Sequence, residues 1–268
     1  MAVYRYLGSV KLSPTLALQK FPEPLGSKVP EITIAFWIIK ILSTGMGEDT
    51  SDFLVHQFGK APAVMVGFFV LFAGLYSQLT VRRYNRWIYW FAVVMVSVFG
   101  TMAADVLHLG LGVPYFASTI FFLLLLLLVF WLWNRAEGTL SIDSITTRRR
   151  EFFYWATVLT TFALGTAAGD MTAHTLNWGF LYSGVIFGIA FFLPGLAYLA
   201  WKFSPVLIFW ISYIITRPFG ASFADWFGAS KVKGGLGFGF GKTALVLTLG
   251  ILLMVLFNNK KGLAEVKE

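Results

Sequence analysis

The stretch FYWATVLTTFALGTAAGD at residues 153–170 contains the pattern that decides the fold of this chain. In it a tryptophan is followed ten residues later by a glycine, and that glycine is followed five residues later by an aspartate. An ionisable side chain near the centre of a membrane span costs at least roughly 2.5 kcal/mol on insertion scales. The spacing nevertheless occurs four times in apolar surroundings, which indicates that the aspartates have a role in structure or function. The copies are Trp37, Gly47, Asp52; Trp90, Gly100, Asp105; Trp155, Gly165, Asp170; and Trp210, Gly220, Asp225.

The composition around these copies is that of an integral membrane protein. Hydrophobic residues make up 57% of the 268 residues and charged residues only 13%, which is unlike a soluble domain. Apolar windows predict an all-α polytopic membrane protein with eight transmembrane helices. The helices are expected near residues 32–57, 61–81, 87–109, 114–134, 151–176, 179–201, 205–227 and 241–258.

Each copy of the pattern lies on the first helix of a predicted two-helix repeat. The four repeats cover about 31–86, 87–150, 151–204 and 205–258 and form one membrane domain, 31–258. A polar segment, 1–30, precedes this domain, and a short tail, 259–268, follows it. Because every repeat returns the chain to the same side of the membrane, the four repeats are expected to be parallel.

The basic residues predict the orientation of the chain. Fifteen of them fall on the side of the N-terminus and only four on the other, so the positive-inside rule predicts that both termini are cytoplasmic. The net charge of +8 is dispersed in short clusters between apolar segments, which favours a lipid bilayer over nucleic acid as the partner. The fifteen are Arg5, Lys11, Lys20, Lys28, Arg82, Arg83, Arg86, Arg135, Arg148, Arg149, Arg150, Lys202, Lys260, Lys261 and Lys267; the four are Lys60, Lys231, Lys233 and Lys242.

The repeated spacing predicts a common depth for the aspartates. Fifteen residues from tryptophan to aspartate span about 22 Å of helix, so parallel repeats would bring the four carboxylates together as a ring or as two facing pairs. Glu48 lies on the same helical face as Asp52, whereas Asp49 points elsewhere. The alternative is that the aspartates are polar contacts that hold the helices together.

Acids outnumber bases within the predicted spans. Glu48, Asp49 and the four aspartates of the pattern face only Lys40 and Arg217. Some acids must therefore be protonated, or small cations must bind. We expect Lys40 and Arg217 to pair with acids of another repeat, or to act as tethered cations that an arriving substrate displaces.

All three histidines follow an aspartate of the pattern at helical spacing. His56, His108 and His174 lie four, three and four residues after Asp52, Asp105 and Asp170. Imidazole with carboxylate suits Zn, Mn, Fe or Co, and carboxylates alone favour Mn or Mg. A divalent metal is thus a candidate ligand, and anchoring of the rings at the membrane interface is the alternative. The chain has no cysteine, which excludes thiolate ligands and disulfides.

Small residues precede each aspartate and allow two interpretations. They permit close approach of helices, or they mark broken helices around Ser43 to Gly47 and Arg217 to Gly220 whose free carbonyls bind a cation. The aromatic pair that ends in each tryptophan is expected in the cytoplasmic aromatic belt. The segment GGLGFGFGKT at 234–243 is not a phosphate loop, because Leu236 stands where the first glycine belongs.

Several stretches resemble a known family. They are Gly47 to Asp52, GTLSIDSITTRRREFFYW at 138–155, GTAAGD at 165–170 and TRPFGASFADW at 216–226. They are similar to bacterial membrane-anchored proteins built from a short repeat of unknown function. The resemblance implies a repeated architecture in the bacterial inner membrane and no particular activity.

The function predicted from these features is transport of a cation, with a divalent metal ion as the leading substrate and protons coupled through the aspartates. A pseudo-fourfold channel with an aspartate selectivity ring is a related alternative. An enzyme is the less favoured class: an intramembrane hydrolase would need zinc on His56, His108 and His174. A scaffold without a transported ligand is the remaining alternative.

Overall fold

The computed structural model describes residues 21–265, which form eight α-helices and, within that range, no strand. This confirms the predicted fold class. The helix bounds lie within a few residues of the expected windows, except that α8 continues past 258, the predicted end. The helices are α1 Ile34–Phe58, α2 Lys60–Thr80, α3 Arg86–Asp105, α4 Tyr115–Glu137, α5 Arg148–Asp170, α6 Gly179–Trp201, α7 Pro205–Gly228 and α8 Phe240–Glu265.

Local sequence signals set several helix ends. The side chain of Thr33 accepts a hydrogen bond from the Phe36 amide, and Thr147 and Asn85 cap α5 and α3 in the same way. Such caps satisfy amides that have no partner within the helix. Gly138 ends α4 in the left-handed conformation, which glycine adopts without strain.

Seven of the eight described helices are long and apolar enough to cross a membrane. The exception is α1, whose apolar sequence is interrupted by four charged residues, Lys40, Glu48, Asp49 and Asp52. Its polar centre is nevertheless enclosed by protein, since Lys40 and the segment from Ser43 to Asp49 are buried. Enclosure is how an intramembrane charge avoids lipid.

The four helices that carry the Trp–Gly–Asp pattern form an inner ring. Helix α1 packs on α3, α3 on α5, α5 on α7, and α7 returns to α1. Each remaining helix lies outside and packs mainly on the next inner helix: α2 on α3, α4 on α5, α6 on α7, and α8 on α1. The repeats therefore close into a pseudo-fourfold bundle.

Close approach between neighbouring inner helices depends on the glycine of each pattern. A Cβ added at Gly47, Gly100, Gly165 or Gly220 would come within 3 Å of a residue seven positions after the next repeat's tryptophan. Those facing residues are, in order, Ser97, Phe162, Arg217 and Thr44. Helices α1 and α7 are continuous through Ser43–Gly47 and Arg217–Gly220, so the broken-helix interpretation is wrong and the close-approach interpretation holds.

The aromatic pairs lie inside the protein. Trp90, Trp155 and Trp210 are buried, as are the tyrosines that precede the first two, and they pack in one core cluster. These rings therefore face neighbouring helices, and their depth at the cytoplasmic interface stays a prediction.

Part of the polar N-terminal segment is docked on the helices; residues 1–20 of that predicted segment lie outside the described range. The Leu25 amide donates to the Arg82 carbonyl at 2.8 Å, and the Arg148 amide donates to Glu23. Lys28 is buried, with Nζ 2.6 Å from Glu151 Oε1 and 2.5 Å from the Gln78 carbonyl oxygen. The segment from Glu23 to Lys28 thus joins the loop after α2 to the start of α5.

Candidate functional site

The inner helices present side chains to one another in layers that recur every four residues after the tryptophan. Residues four apart share a face of a helix, and the closed ring of parallel helices puts equivalent positions side by side. The layers, three, seven, eleven and fifteen residues after each tryptophan, are Lys40, Val93, Val158, Tyr213; Thr44, Ser97, Phe162, Arg217; Glu48, Thr101, Thr166, Ala221; and Asp52, Asp105, Asp170, Asp225. We call the two ends of this stack the tryptophan end and the aspartate end.

A buried ion pair lies at the middle of the stack. Nη2 of Arg217 lies 2.5 Å from Glu48 Oε2 and 2.7 Å from Thr166 Oγ1, and it also contacts Thr101 Oγ1. Nη1 donates to the Thr44 carbonyl oxygen at 3.1 Å. Thr101 in turn donates to Glu48 Oε2 at 3.1 Å. Each inner helix therefore contributes a side chain to one polar cluster, which we call the central cluster: Glu48, Thr101, Thr166 and Arg217.

Lys40 occupies the layer nearer the tryptophan end. Its Nζ lies 4.1 Å from the centre of the Phe162 ring and 4.3 Å from that of Tyr213. Among the described residues this amino group has no hydrogen-bond partner, and the side chain is buried. The Phe162 ring also faces Arg217, whose Cζ lies 5.4 Å from its centre. Lys40 is thus held by aromatic faces and not, as one expectation had it, by an acid of another repeat.

Arg217, unlike Lys40, does pair with an acid of another repeat, as expected. It pairs with Glu48 of the first repeat. The helices that carry the two residues, α7 and α1, are far apart in sequence but adjacent in space. Burying both charges is favourable only when their geometry and remaining hydrogen bonds are good. The threonines and the Thr44 carbonyl provide those bonds.

The four aspartates lie at the end of the same stack. Asp170 interacts electrostatically with Glu48, Asp105 and Asp52, and Asp225 with Glu48, Asp52 and Asp170. The phenol of Tyr115, at the start of α4, is within electrostatic range of all four. Asp225 is buried, and the other three are partly exposed. The four carboxylates therefore lie at one end of the inner ring, within electrostatic range of one another.

Asp49 lies apart from this group. It is buried, and its Oδ1 closely approaches Gly228 at the end of α7. Among the described residues neither of its carboxylate oxygens has a hydrogen-bond partner. Its direction away from the stack agrees with the sequence expectation for the residue beside Glu48.

The histidines do not converge. Nδ1 of His56 lies 2.7 Å from the carbonyl oxygen of Asp52, and Nδ1 of His108 lies 3.1 Å from that of Val113. The Tyr115 ring packs against both His108 and His174, at centroid distances of 4.1 and 5.7 Å. Among residues 21–265 no three His, Asp or Glu side chains are placed to hold one metal ion.

The backbone after two of the aspartates is not the α-helix that the sequence analysis assumed. The chain changes to a π-helix directly after Asp105, over Val106–Gly110, and directly after Asp170, over Met171–Thr175. The wider π turn changes the angular offset between each aspartate and its histidine. The α-helical offset therefore fails for the three-residue step from Asp105 to His108, whereas the four-residue step from Asp170 to His174 stays close to one turn.

Sequence analysis missed Thr101, Thr166, Phe162 and Tyr213. A signal was present, because Thr101 and Thr166 occupy the same position in their repeats as Glu48, eleven residues after the tryptophan. Aligning the repeats position by position would have placed these hydroxyls beside the Glu48 carboxylate.

Comparison with known families identifies the repeat. The family model described as Repeat of Unknown Function (DUF347) matches three times, at residues 88–139, 153–203 and 208–258. These matches cover more than half of the chain, which therefore belongs to this family, as the resemblance implied. They correspond to the second, third and fourth repeats; the first repeat adopts the same helix pair without a match. No curated protein and no solved structure gives a significant match.

Proposed function

We propose that this member of a repeat family without an assigned activity is a membrane transporter for a small cation. The observation that carries the proposal is the group of four equivalent aspartates at one end of a pseudo-fourfold ring, with a buried Arg217–Glu48 pair behind them. Acids that face one another inside a helix bundle attract a cation or share protons. Contacts that only hold helices together do not require equivalent acids at one level in all four repeats.

The central cluster supports a transporter over an open channel. The Glu48 carboxylate lies four residues, about 6 Å of helix, beyond the aspartate layer. A cation that advances from the aspartates meets this carboxylate next, and Arg217 already neutralises it. Passage thus requires Arg217 to exchange its partner, which makes the guanidinium a tethered cation that closes the axis when no substrate is bound.

Proton coupling follows from the interaction among the carboxylates. Groups that interact strongly lose their protons in steps that belong to the set and not to one residue. A cation that enters the aspartate layer favours the ionised forms and releases protons. Net movement of cations in one direction can then drive protons in the other.

A divalent metal ion remains the first substrate to test, together with a monovalent ion. No described group of three acids or histidines is arranged to hold one metal ion, which favours transient binding of a cation that keeps part of its water. The same finding gives the zinc hydrolase alternative no arranged ligand set. We propose a multi-pass protein of the plasma membrane with both termini cytoplasmic.

The test compares ion flux with folding in four single variants. Asp52→Asn, Asp105→Asn, Asp170→Asn and Asp225→Asn keep the shape and hydrogen-bonding capacity of the side chain but remove its charge. Purified variants in liposomes should lose most Mn²⁺ or K⁺ flux, and the proton counterflow with it, while their melting temperatures in detergent stay close to wild type. Asp143→Asn, in the exposed turn between α4 and α5, is the matched control and should keep full flux.

The opposite pattern would refute the proposal. If the four variants lose thermal stability while flux per folded molecule is unchanged, the aspartates serve only to hold the bundle together. Absence of any cation flux in the wild-type protein would refute transport altogether.

A further inference from the structure

A cavity of about 420 Å³ lies beside the aspartate end, between α1, α2 and α3. Asp52, His56, Lys60 and Asp105 line it, and most of the remaining wall is apolar, with Val64 and Met102 as examples. Cavities of this size that combine an apolar wall with a few polar groups are typical small-molecule sites. The cavity differs from the central cluster in being on the flank of the inner ring.

The corresponding place one repeat later holds an aromatic ring. There Tyr115, at the start of α4, packs on His108 and His174 and faces the aspartates. Helix α2 instead begins with Lys60 and Ala61, which supply no ring. The first repeat thus keeps open a space that the second repeat fills with an amphipathic side chain.

The walls indicate what chemistry fits this space. Asp52 and Asp105 lie within electrostatic range of each other and of Glu48, and neighbouring carboxyl groups in an apolar wall favour a cationic ligand or shared protons. Lys60 and Lys233 also act on Asp105 and Asp52, but both lysines are exposed, where water weakens such interactions. Met65, which borders the cavity, is largely exposed on the outer face of α2, so the opening is towards the side of the bundle.

We propose that this cavity binds an amphipathic organic cation, with its ammonium group beside Asp52 and Asp105 and its apolar part against Val64 and Met102. A ligand can occupy this cavity whether or not the protein transports a cation. Because it shares two carboxylates with the transport site proposed above, an occupant would also hinder a small cation. The binding test below reads occupancy directly and does not depend on flux, so the two proposals fail separately.

The experiment measures binding of benzyltrimethylammonium to the full chain in lipid nanodiscs by calorimetry, with empty nanodiscs as reference. Neopentylbenzene, the uncharged molecule of the same shape, is the ligand control. Val64→Trp fills the cavity, whereas Val66→Trp adds the same ring to an exposed position on α2 that does not line it. We expect Val64→Trp to weaken binding of the cation roughly tenfold or more, about 1.4 kcal/mol, and Val66→Trp to leave it unchanged.

The charged and uncharged ligands keep the test decisive even if Val64→Trp does not fold. Tighter binding of the cation than of neopentylbenzene to the wild-type protein, reduced in Asp52→Asn and Asp105→Asn, supports the proposal. Equal binding of both ligands would show that the cavity is a groove for lipid chains, and this would overturn it. The absence of cation binding to the wild type would overturn it as well.

Discussion

Arg217 and Glu48 form the contact on which the centre of the bundle depends. Both side chains are buried, and one guanidinium reaches groups on the other three inner helices. Removal of one member of a buried pair leaves a charge without compensation, which is worse than losing both. Among the described residues no other ion pair lies at the centre of the stack, so the other repeats cannot replace it.

Replacement of Arg217 by methionine should therefore destabilise the protein by about 3 to 5 kcal/mol, the usual penalty for breaking a buried pair. Adding Glu48→Gln to that variant should restore part of the loss, because the unpaired carboxylate is then gone. Thermal and denaturant unfolding in detergent would measure both effects. A double variant no more stable than Arg217→Met would contradict this account.

Lys28 allows a prediction of pH dependence outside the membrane-spanning helices. Burial lowers the pKa of its amino group below the ordinary 10.5, although the Glu151 carboxylate opposes the shift. The unfolded chain then binds more protons than the folded one between the lowered pKa and 10.5, so this residue's contribution to stability rises with pH across that interval. Below the interval both states are protonated and the contribution is constant.

The comparison of wild type with Lys28→Gln isolates this effect. The melting temperature of the wild type relative to the variant should increase as the pH rises from neutral towards 10.5. A relative melting temperature that falls over this range would mean that the bridge to Glu151 outweighs burial and that the pKa of Lys28 is raised.

At the scale of helices, the glycine of each repeat sets the distance between neighbouring inner helices. A methyl group at Gly100 would come 2.5 Å from Cβ of Phe162, the ring that lies between Lys40 and Arg217. Backbone and Cβ atoms at such a contact cannot turn away as the end of a long side chain can. The helices must separate, and the central cluster must open with them.

Gly100→Ala should consequently lower stability by roughly 1 to 3 kcal/mol, the range for overpacking a tight core. Gly195→Ala on α6 is the control, since nothing lies within 4 Å of the added methyl group and alanine favours a helix by about 1 kcal/mol. Unfolding of the two variants in the same detergent would test the contrast. Equal effects at both positions would show that the glycine contact does not hold the ring together.

Sequence patterns predicted helices better than they predicted contacts. Apolar length and the Trp–Gly–Asp spacing gave the eight helices and the equivalence of the aspartates, because both depend on local periodicity. The π turn after Asp105 leaves no signal in that periodicity, so the position of His108 could not follow from it. The pairing of Arg217 with Glu48 depends on closure between the first and last inner helices, which no local pattern encodes.

The whole molecule combines a symmetric scaffold with an asymmetric centre. The first repeat, which the family model does not match, supplies Lys40, Glu48 and Asp49, while the fourth supplies Arg217. Glu48 and Arg217 meet because α7 closes on α1. In the second and third repeats the corresponding positions behind the aspartate carry only hydroxyl, apolar and aromatic side chains, so the charges of the first and fourth repeats are what would close the axis.

The last prediction concerns the orientation of this scaffold. We expect all eight helices to cross the bilayer, α1 included because α3, α7 and α8 surround its charges. An even number of crossings would bring the two ends of the bundle's chain to the same side. The basic residues concentrate on the side of the termini, which predicts a cytoplasmic location. Reporter domains that are active only in the cytoplasm should therefore be active when fused after Glu268 or before Met1, and inactive when inserted in the α7–α8 loop at Gly234. Termini on opposite sides would mean that α1 does not span the membrane, and the common depth of the four aspartates would be lost with it.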